Sequence, residues 1–532
     1  MDKVPFEILA AILRVTVHSM PKNAALNLRF VCRAFDTALK PILCQTLNLE
    51  FTRLSRFSHR RPPTPEGLQT IGYHCTSLYI DLMLLRDELE VGFLKTLFRD
   101  VPSMTEFCDT LNTRYCMNPR SFTEEEYRAS VTELLFYCNR VERIRLNLPF
   151  PLVGPHCTAV TSTLANTFAA LNRKEDEEVE YSKLKVLVLE NAADISICSL
   201  WMNPLDVVNI RKSIECLEHF VISIRRREPL LDRYPIYAIS LWSLIASASL
   251  LRTLSLVGLD CDHRPPKSIK HTVSSTVDEK LKRVEISADF FSSARSIFGK
   301  TLRELFLNEV YLKVSGTEPD QTHPFKVLWV GLPNTRPREG DIWVAHVIRE
   351  NLPKLRVCRA SRLGYDFYGT EAGLEACQNF DLDDPCGLKR TLARRFVEVV
   401  TGYDQPKLES GEPCIMLSPQ REHSQVWKEE LKPVSKRMRP SEWDTIAYQS
   451  LVANPTSAWL RSIDGIFPNC NKGTLDELHA IAQTACTGMN KLTEHRNSLA
   501  GEALVVEGGD SGSDTINTPQ VHQVDWNQTS LQ

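Results

Sequence analysis

A chain of 532 residues with 63 Lys and Arg against 66 Asp and Glu has a formal net charge of −3, too small a bias to point to nucleic acid or to a strongly basic ligand. Hydrophobic residues make up 43% and charged residues 24%, which excludes a wholly disordered chain and allows a sizeable buried core. No apolar run is long enough to cross a membrane, since Leu241 to Leu254 is broken by Ser243, Ser247, Ser249 and Arg252; Asp2, Lys3, Glu7 and Arg14 argue against a secretory signal.

The N-terminal segment reads as two short amphipathic helices. Pro5 suits a first helical position, where a missing backbone N–H is tolerated, and Glu7 lies in a first turn, where the helix dipole favours an anion. Ile8, Leu9, Ile12 and Leu13 then recur at helical spacing. After a polar break, Asn23 is a candidate N-cap. Leu28, Val31, Cys32, Phe35 and Leu39 make the second stripe, which Pro41 limits. Helices this short are marginal alone, so a partner surface is expected to complete them.

Two submotifs stand in order here: Val4-Pro5-x-Glu7-Ile8, then Val31-Cys32-Arg33-x-Phe35. Together they resemble the F-box, the helical module that docks onto the Skp-type adaptor of cullin–RING ubiquitin ligases. The resemblance covers residues 1–50. It implies a non-catalytic substrate-recognition subunit that meets the Skp-type adaptor, and through it the cullin–RING ligase, while holding an unknown protein substrate. The residues it implies for adaptor contact are Pro5, Ile8, Ile12, Leu13, Leu28, Val31, Cys32 and Phe35. Some of these must instead hold the module's own core, and the sequence does not separate the two sets. A hairpin that only caps the following domain is the alternative.

Residues 51–70, with Arg60-Arg61-Pro62-Pro63 and Pro65, read as a linker. Beyond it one pattern returns: a large apolar residue, two variable ones, an apolar, one variable, an apolar. It begins at Val141, Leu184, Leu217, Leu251, Leu281, Leu302 and Phe325. The last two apolar positions are two apart and so face one side of a short strand. Such a unit cannot bury that side alone, whereas stacked copies can. The pattern looks like an irregular leucine-rich-repeat array of the kind found after F-boxes. The expected fold class is therefore α/β: a small helical F-box-like module, a leucine-rich-repeat solenoid over 71–380, a helical and irregular part over 381–500, and a disordered tail over 501–532. Leu187, Leu254 and Leu305 are expected scaffold residues. Lys185, Arg252, Lys282, Arg303 and Trp329 fall between buried positions and are candidates for an exposed face.

In the last third, Leu388, Leu392, Phe396 and Val400 share one helical face, and Leu475, Leu478, Ile481 and Ala485 another. Gln405 to Pro440 is rich in Pro, Lys, Glu and Ser and reads as irregular. Sixteen cysteines include no Cys-x-x-Cys pair, so buried reduced thiols are expected, in the cytosol or nucleus. Phosphate-binding, nucleophile-elbow and zinc motifs are missing from the sequence. No catalytic residue, metal or cofactor is expected, and neither nucleic acid nor membrane as partner. Two other readings stay open: an interaction scaffold without a ubiquitin role, and an enzyme of diverged α/β fold.

Overall fold

The computed structural model describes residues 4–18, 20, 22–50, 63–149, 158–172, 182–225, 236–258, 297–308, 342–355 and 472–506, the short segments 284–287, 310–313, 327–328, 357–361 and 363–365, and positions 396 and 400. Three helices come first: α1 (Phe6–His18), α2 (Lys22–Leu28) and α3 (Arg33–Leu43). Strands β1 (Thr46–Glu50), β2 (Ser77–Asp81), β3 (Arg143–Asn147), β4 (Val186–Ala193), β5 (His219–Arg225), β6 (Thr253–Gly258), β8 (Glu304–Asn308) and β12 (Val357–Ser361) form one eight-stranded sheet in that order. Every neighbouring pair in it is parallel.

The connections are helical: α4 (Pro65–Ile71), α5 (Glu88–Leu97), α6 (Thr105–Arg114), α7 (Glu124–Tyr137), α8 (Thr158–Asn172), α9 (Asp194–Met202), α10 (Pro204–Ile214) and α11 (Ile236–Ala246). Their starts are encoded locally. Thr64 caps α4 with Pro65 in its first turn, Thr123 and Glu126 form a capping box on α7, and Asn203 caps α10 ahead of Pro204. Asp87 serves two helices at once. Its carboxylate accepts from Leu89 N–H in α5 at 2.9 Å, and from Ala159 N–H at 3.2 Å and the Thr158 hydroxyl in α8.

The repeated pattern sets the register of the core. Leu78, Ile144, Leu187, Phe220, Leu254 and Leu305 form one continuous row across the sheet, and Ile80, Leu146, Leu189, Ile222, Leu256 and Leu307 form the next. Both rows are buried against the helices. At about 1.5–3 kcal/mol per large aliphatic, each strand's inward pair contributes about 3–6 kcal/mol before conformational entropy is set against it.

The leucine-rich-repeat solenoid expected from that pattern is not what the chain forms. Strands of a solenoid stack in the order of their repeats, yet two carriers of the motif leave the sequence of pairings. The Leu281 motif becomes β7 (Val284–Ser287), which joins β9 (Val310–Lys313) and β13 (Gly364–Tyr365) in a separate sheet, so β6 pairs directly with β8. The Phe325 motif becomes β10 (Val327–Leu328), paired with β11 (Ile342–Trp343) ahead of α12 (Val344–Asn351), so β8 pairs directly with β12. The fold is an α/β body on a continuous parallel sheet, whose strands from β1 to β6 are linked by helical crossovers of unequal length. The pattern encodes a strand with one buried side. It does not encode the neighbour.

Leu475–Leu492, expected as a helix, lies within α13 (Lys472–Val506), which continues into the segment expected to be tail. It packs back on the start of the body: Leu478 and Ile481 enter the main core, and Glu477 bonds the Tyr115 hydroxyl and pairs with Arg114 at 3.2 Å. Phe396 and Val400 are both buried, whereas Leu388, Leu392, Gln405 to Pro440 and 507–532 lie outside the described residues. Of the described helices, none is long and apolar enough to cross a membrane.

Candidate partner-docking surface

The sequence left one question about α1–α3 open, namely which apolar residues make its core and which remain for a partner. Leu13, Phe35, Ala38 and Leu39 are buried together, with Leu9, Ala10, Val17, Leu28 and Leu43 packed around them. Three of the eight anticipated contact residues, Leu13, Leu28 and Phe35, therefore hold the module itself. Pro5, Ile8, Ile12, Val31 and Cys32 are exposed, Ile8 at 53%, Ile12 at 54% and Val31 at 61%.

The geometry of α1 explains the division. At about 100° per residue, Ile8, Ile12 and Val15 cluster on one side, while Leu9, Ala10, Leu13 and Val17 cluster roughly 150° away. A helix apolar on two sides needs two surfaces to cover it. Only the inner one is supplied by α3.

The second expected helix is in fact two. Asn23, the anticipated cap, falls inside α2, and the chain turns through Arg29–Val31, with Phe30 N–H on the Asn27 carbonyl at 3.1 Å and Val31 N–H on the Leu28 carbonyl at 3.2 Å. Cys32 occupies the N-cap position of α3, and Pro41 lies within that helix instead of limiting it. Asp36 fastens the turn by accepting from Arg29 and Lys40, each at 2.8 Å. Those hydrogen bonds, Lys40's first and then Arg29's, hold its carboxyl below the usual aspartate value. The turn lifts Phe30 to 86% exposure. Sequence reading missed Phe6, Val15 and Phe30 in this outer set. For Val15 the signal was present, as it continues the Ile8–Ile12 spacing.

Further exposed apolar residues lie on the body: Met202 at the end of α9, Leu205 and Val208 on α10, and Ile236 and Ile239 on α11. The two helices continue into a shallow depression of about 530 Å³ bordered by Arg211, Lys212, Glu215, Ser243, Ala246 and Ser247.

The side of the sheet away from the helices is mostly polar. Arg145 donates to both oxygens of Glu190, at 3.0 and 2.6 Å, and stands over the Tyr79 ring at 5.4 Å. Asn147 donates to Asp81 at 3.1 Å and accepts from Asn191 at 2.8 Å, and Asn191 holds a φ of 63° where β4 bulges. Farther along, His219 Nδ1 meets Thr253 Oγ1 at 3.1 Å, and Thr253 donates to Glu304 at 3.0 Å. With the hydroxyl proton committed to Glu304, Nδ1 must be the donor to Thr253. Burial, then Arg252 and Arg143, push the His219 pKa down to about 3, which keeps the ring neutral.

Lys185 and Arg252, candidates for the exposed face, are matched by acids one strand away. Lys185 pairs with Glu142 and Arg252 with Glu218, each at 2.9 Å. Lys282 and Trp329 lie outside the described residues. Among the described residues, no group of three or more His, Cys, Asp or Glu side chains is placed to hold a metal ion.

Fold and surface define a class: a parallel α/β body carrying a small helical module whose outer side is apolar and exposed. No family model matches the chain, and no curated protein matches it.

Proposed function

We propose that the chain is a substrate-recognition adaptor of a Skp–cullin–F-box type ubiquitin ligase, acting in the cytosol or nucleus. Its helical module docks onto a Skp-type adaptor, and its body holds the protein to be modified. One observation carries the reading: α1 has a second apolar side, Ile8, Ile12 and Val15, that the protein itself leaves exposed. Exposed apolar anchors on a helix, rimmed by polar residues, are what a hydrophobic groove recognises. The exposed apolar residues on α9, α10 and α11 support a chain that meets a second partner through its body. The protein's contribution is then proximity, with the chemistry supplied by the enzyme recruited through the adaptor.

The test is titration of a purified Skp-type adaptor into the intact chain, Ile8→Asp/Ile12→Asp and Leu205→Asp. Binding to the intact chain and to Leu205→Asp, with loss in the Ile8/Ile12 variant at an unchanged melting temperature, is the expected result. Absence of binding to the intact chain overturns the proposal and leaves an interaction scaffold, whose module serves a different protein.

A further inference from the structure

Two of the buried cysteines meet where the chain enters β2 and β3. Cys75 closes the single tight turn Gly72–His74, two residues ahead of β2, and Cys138 caps the C-terminus of α7, five residues ahead of β3. The segments that carry them are fastened together in three ways. The Thr76 carbonyl accepts from Glu142 N–H at 3.0 Å and from Arg143 N–H at 3.2 Å. A Cβ at Gly72 would strike the Tyr137 carbonyl, so glycine is what lets the two backbones come this close. Nearer the surface, the Arg140 guanidinium stands over the Tyr73 ring at 4.8 Å.

Between these contacts the two sulfurs are hydrogen-bonded to each other. The Cys75 S–H donates to the Ser77 carbonyl at 3.3 Å, which leaves its sulfur lone pairs to accept from the Cys138 S–H. That bond from Cys138 holds the Cys75 thiol below its ordinary value; burial opposes it, and the backbones of Leu47 and Ser77 reinforce it. At Cys108, Cys116 and Cys358 burial is the largest influence and drives the thiols the other way. A thiolate with a second thiol in hydrogen-bond reach has both the nucleophile and the resolving partner that disulfide formation needs.

We propose that Cys75 and Cys138 form a reversible oxidation site, which closes to a disulfide on reaction with a hydroperoxide and reopens by exchange with a small-molecule thiol. The Cys75 thiolate attacks one peroxide oxygen, the O–O bond breaks and hydroxide leaves. Cys138 then attacks the Cys75 sulfur, the new S–O bond breaks and a second hydroxide leaves. The two protons given up by the thiols turn both hydroxides into water, and two electrons pass from the sulfurs to the peroxide. Cys75 is 2% exposed and Cys138 0%, yet Tyr73, Phe136 and Arg140, each two residues from one of them, all reach solvent. Local opening of these two turns therefore admits a molecule as small as hydrogen peroxide without unfolding the sheet. The site is independent of the docking role proposed above.

The experiment treats the reduced, desalted full chain with hydrogen peroxide, removes the peroxide, alkylates the remaining thiols and maps the peptides by mass spectrometry. The exposed Cys32 and Cys486 report the oxidant dose. The expected product is a cross-linked peptide joining Cys75 to Cys138, two hydrogens lighter than the reduced pair and lost on treatment with dithiothreitol. The oxidised chain should also unfold at higher urea than the reduced chain, because the link closes a loop over residues 76–137. Cys138→Ala should abolish the cross-link and leave Cys75 as a sulfenic acid that a dione probe labels. If that variant does not fold, the peptide map of the intact chain decides alone. Cys75 and Cys138 both alkylated after Cys32 and Cys486 have been oxidised overturns the proposal. So does a link that forms only when urea is added before the peroxide, or a Cys75 joined to a different cysteine.

Discussion

The N-terminal module and the sheet body are built from the same residue types and use them in opposite ways. Leu254 and Leu256 in β6 are at most 1% exposed, whereas Ile8 and Ile12 in α1 are more than half exposed. The body closes on itself because each strand's apolar pair meets helices supplied a few residues away in sequence. Three short helices cannot do this: α1 has two apolar sides and α3 covers one. The sharpest way to break the comparison is to shorten one residue of each kind. Leu254→Ala should cost about 2–5 kcal/mol, a large part of a typical stability of about 5–15 kcal/mol. Ile12→Ala should change stability by no more than about 0.5 kcal/mol. Denaturant melts of both variants check this, and a loss for Ile12→Ala comparable to that for Leu254→Ala would mean that α1 is covered on both sides.

The two sides of the sheet offer the next comparison. Tyr79, Val186 and Val188 form only a small apolar cluster on the side away from the helices, so polar contacts must contribute more there. The Arg145–Glu190 pair is bidentate and its side chains are only 13% and 14% exposed. Removing one partner leaves a largely desolvated charge, so Arg145→Ala should cost about 1.5–3 kcal/mol. The double variant Arg145→Met/Glu190→Met should recover part of that loss in a double-mutant cycle. If the single and double variants are equally destabilised, the ring stacking on Tyr79 and the packing of the arginine stem matter more than the pair.

What the sequence revealed divides along the same physical line. The strands starting at Arg143, Val186, His219, Thr253 and Glu304 were legible because a one-sided strand has a local signature. Their sorting into sheets was not. Leu281-Lys-Arg-Val284-Glu-Ile286 has the same signature as Leu251-Arg-Thr-Leu254-Ser-Leu256, yet β7 and β6 end in different sheets, and the choice depends on long-range pairing. The module's apolar positions were legible as a set of eight. Its division needed the turn at Arg29–Val31, which no strong breaker residue announces. The return of α13 to Tyr115 and Arg114 joins positions more than three hundred residues apart, and local periodicity contains no trace of it.

Two titratable groups, Asp81 buried and His219 partly buried, pull stability in opposite directions with pH. His219 falls from its ordinary 6.5 to about 3, so its neutral form stabilises the fold fully above pH 6.5, and that contribution is lost as pH falls toward 3. Asp81 is raised from 3.8 to about 6, chiefly by burial and then by Glu50 and Glu190, against hydrogen bonds from Met83 N–H and Thr474. Its contribution is present below pH 3.8 and is lost as pH rises through 6. Between about pH 4 and 6 the two slopes, each at most about 1.4 kcal/mol per pH unit, partly cancel. Melting temperatures across that window should be nearly level for the intact chain. They should rise with pH in Asp81→Asn and fall with pH in His219→Gln. Parallel curves for all three chains would show that neither group titrates as its surroundings require.

The smallest effect tests the row of charges just ahead of the strands. Glu142, Lys185, Glu218 and Arg252 each stand one residue ahead of a strand, with alternating sign and each linked to its neighbour through the backbone. Lys185 and Arg252 are about half exposed, so solvent screens their pairs with Glu142 and Glu218. Lys185→Ala or Arg252→Ala should each cost only about 0.2–1 kcal/mol, and less as salt is raised. Glu218→Lys makes the informative contrast, because with Arg303 next to Arg252 it places four cations in a row and replaces weak attraction with repulsion from both sides. It should destabilise by more than either alanine variant, and added salt should restore most of the loss. If salt leaves the Glu218→Lys melt unchanged, the row acts through packing of its aliphatic stems, and the alternation of sign has no energetic role.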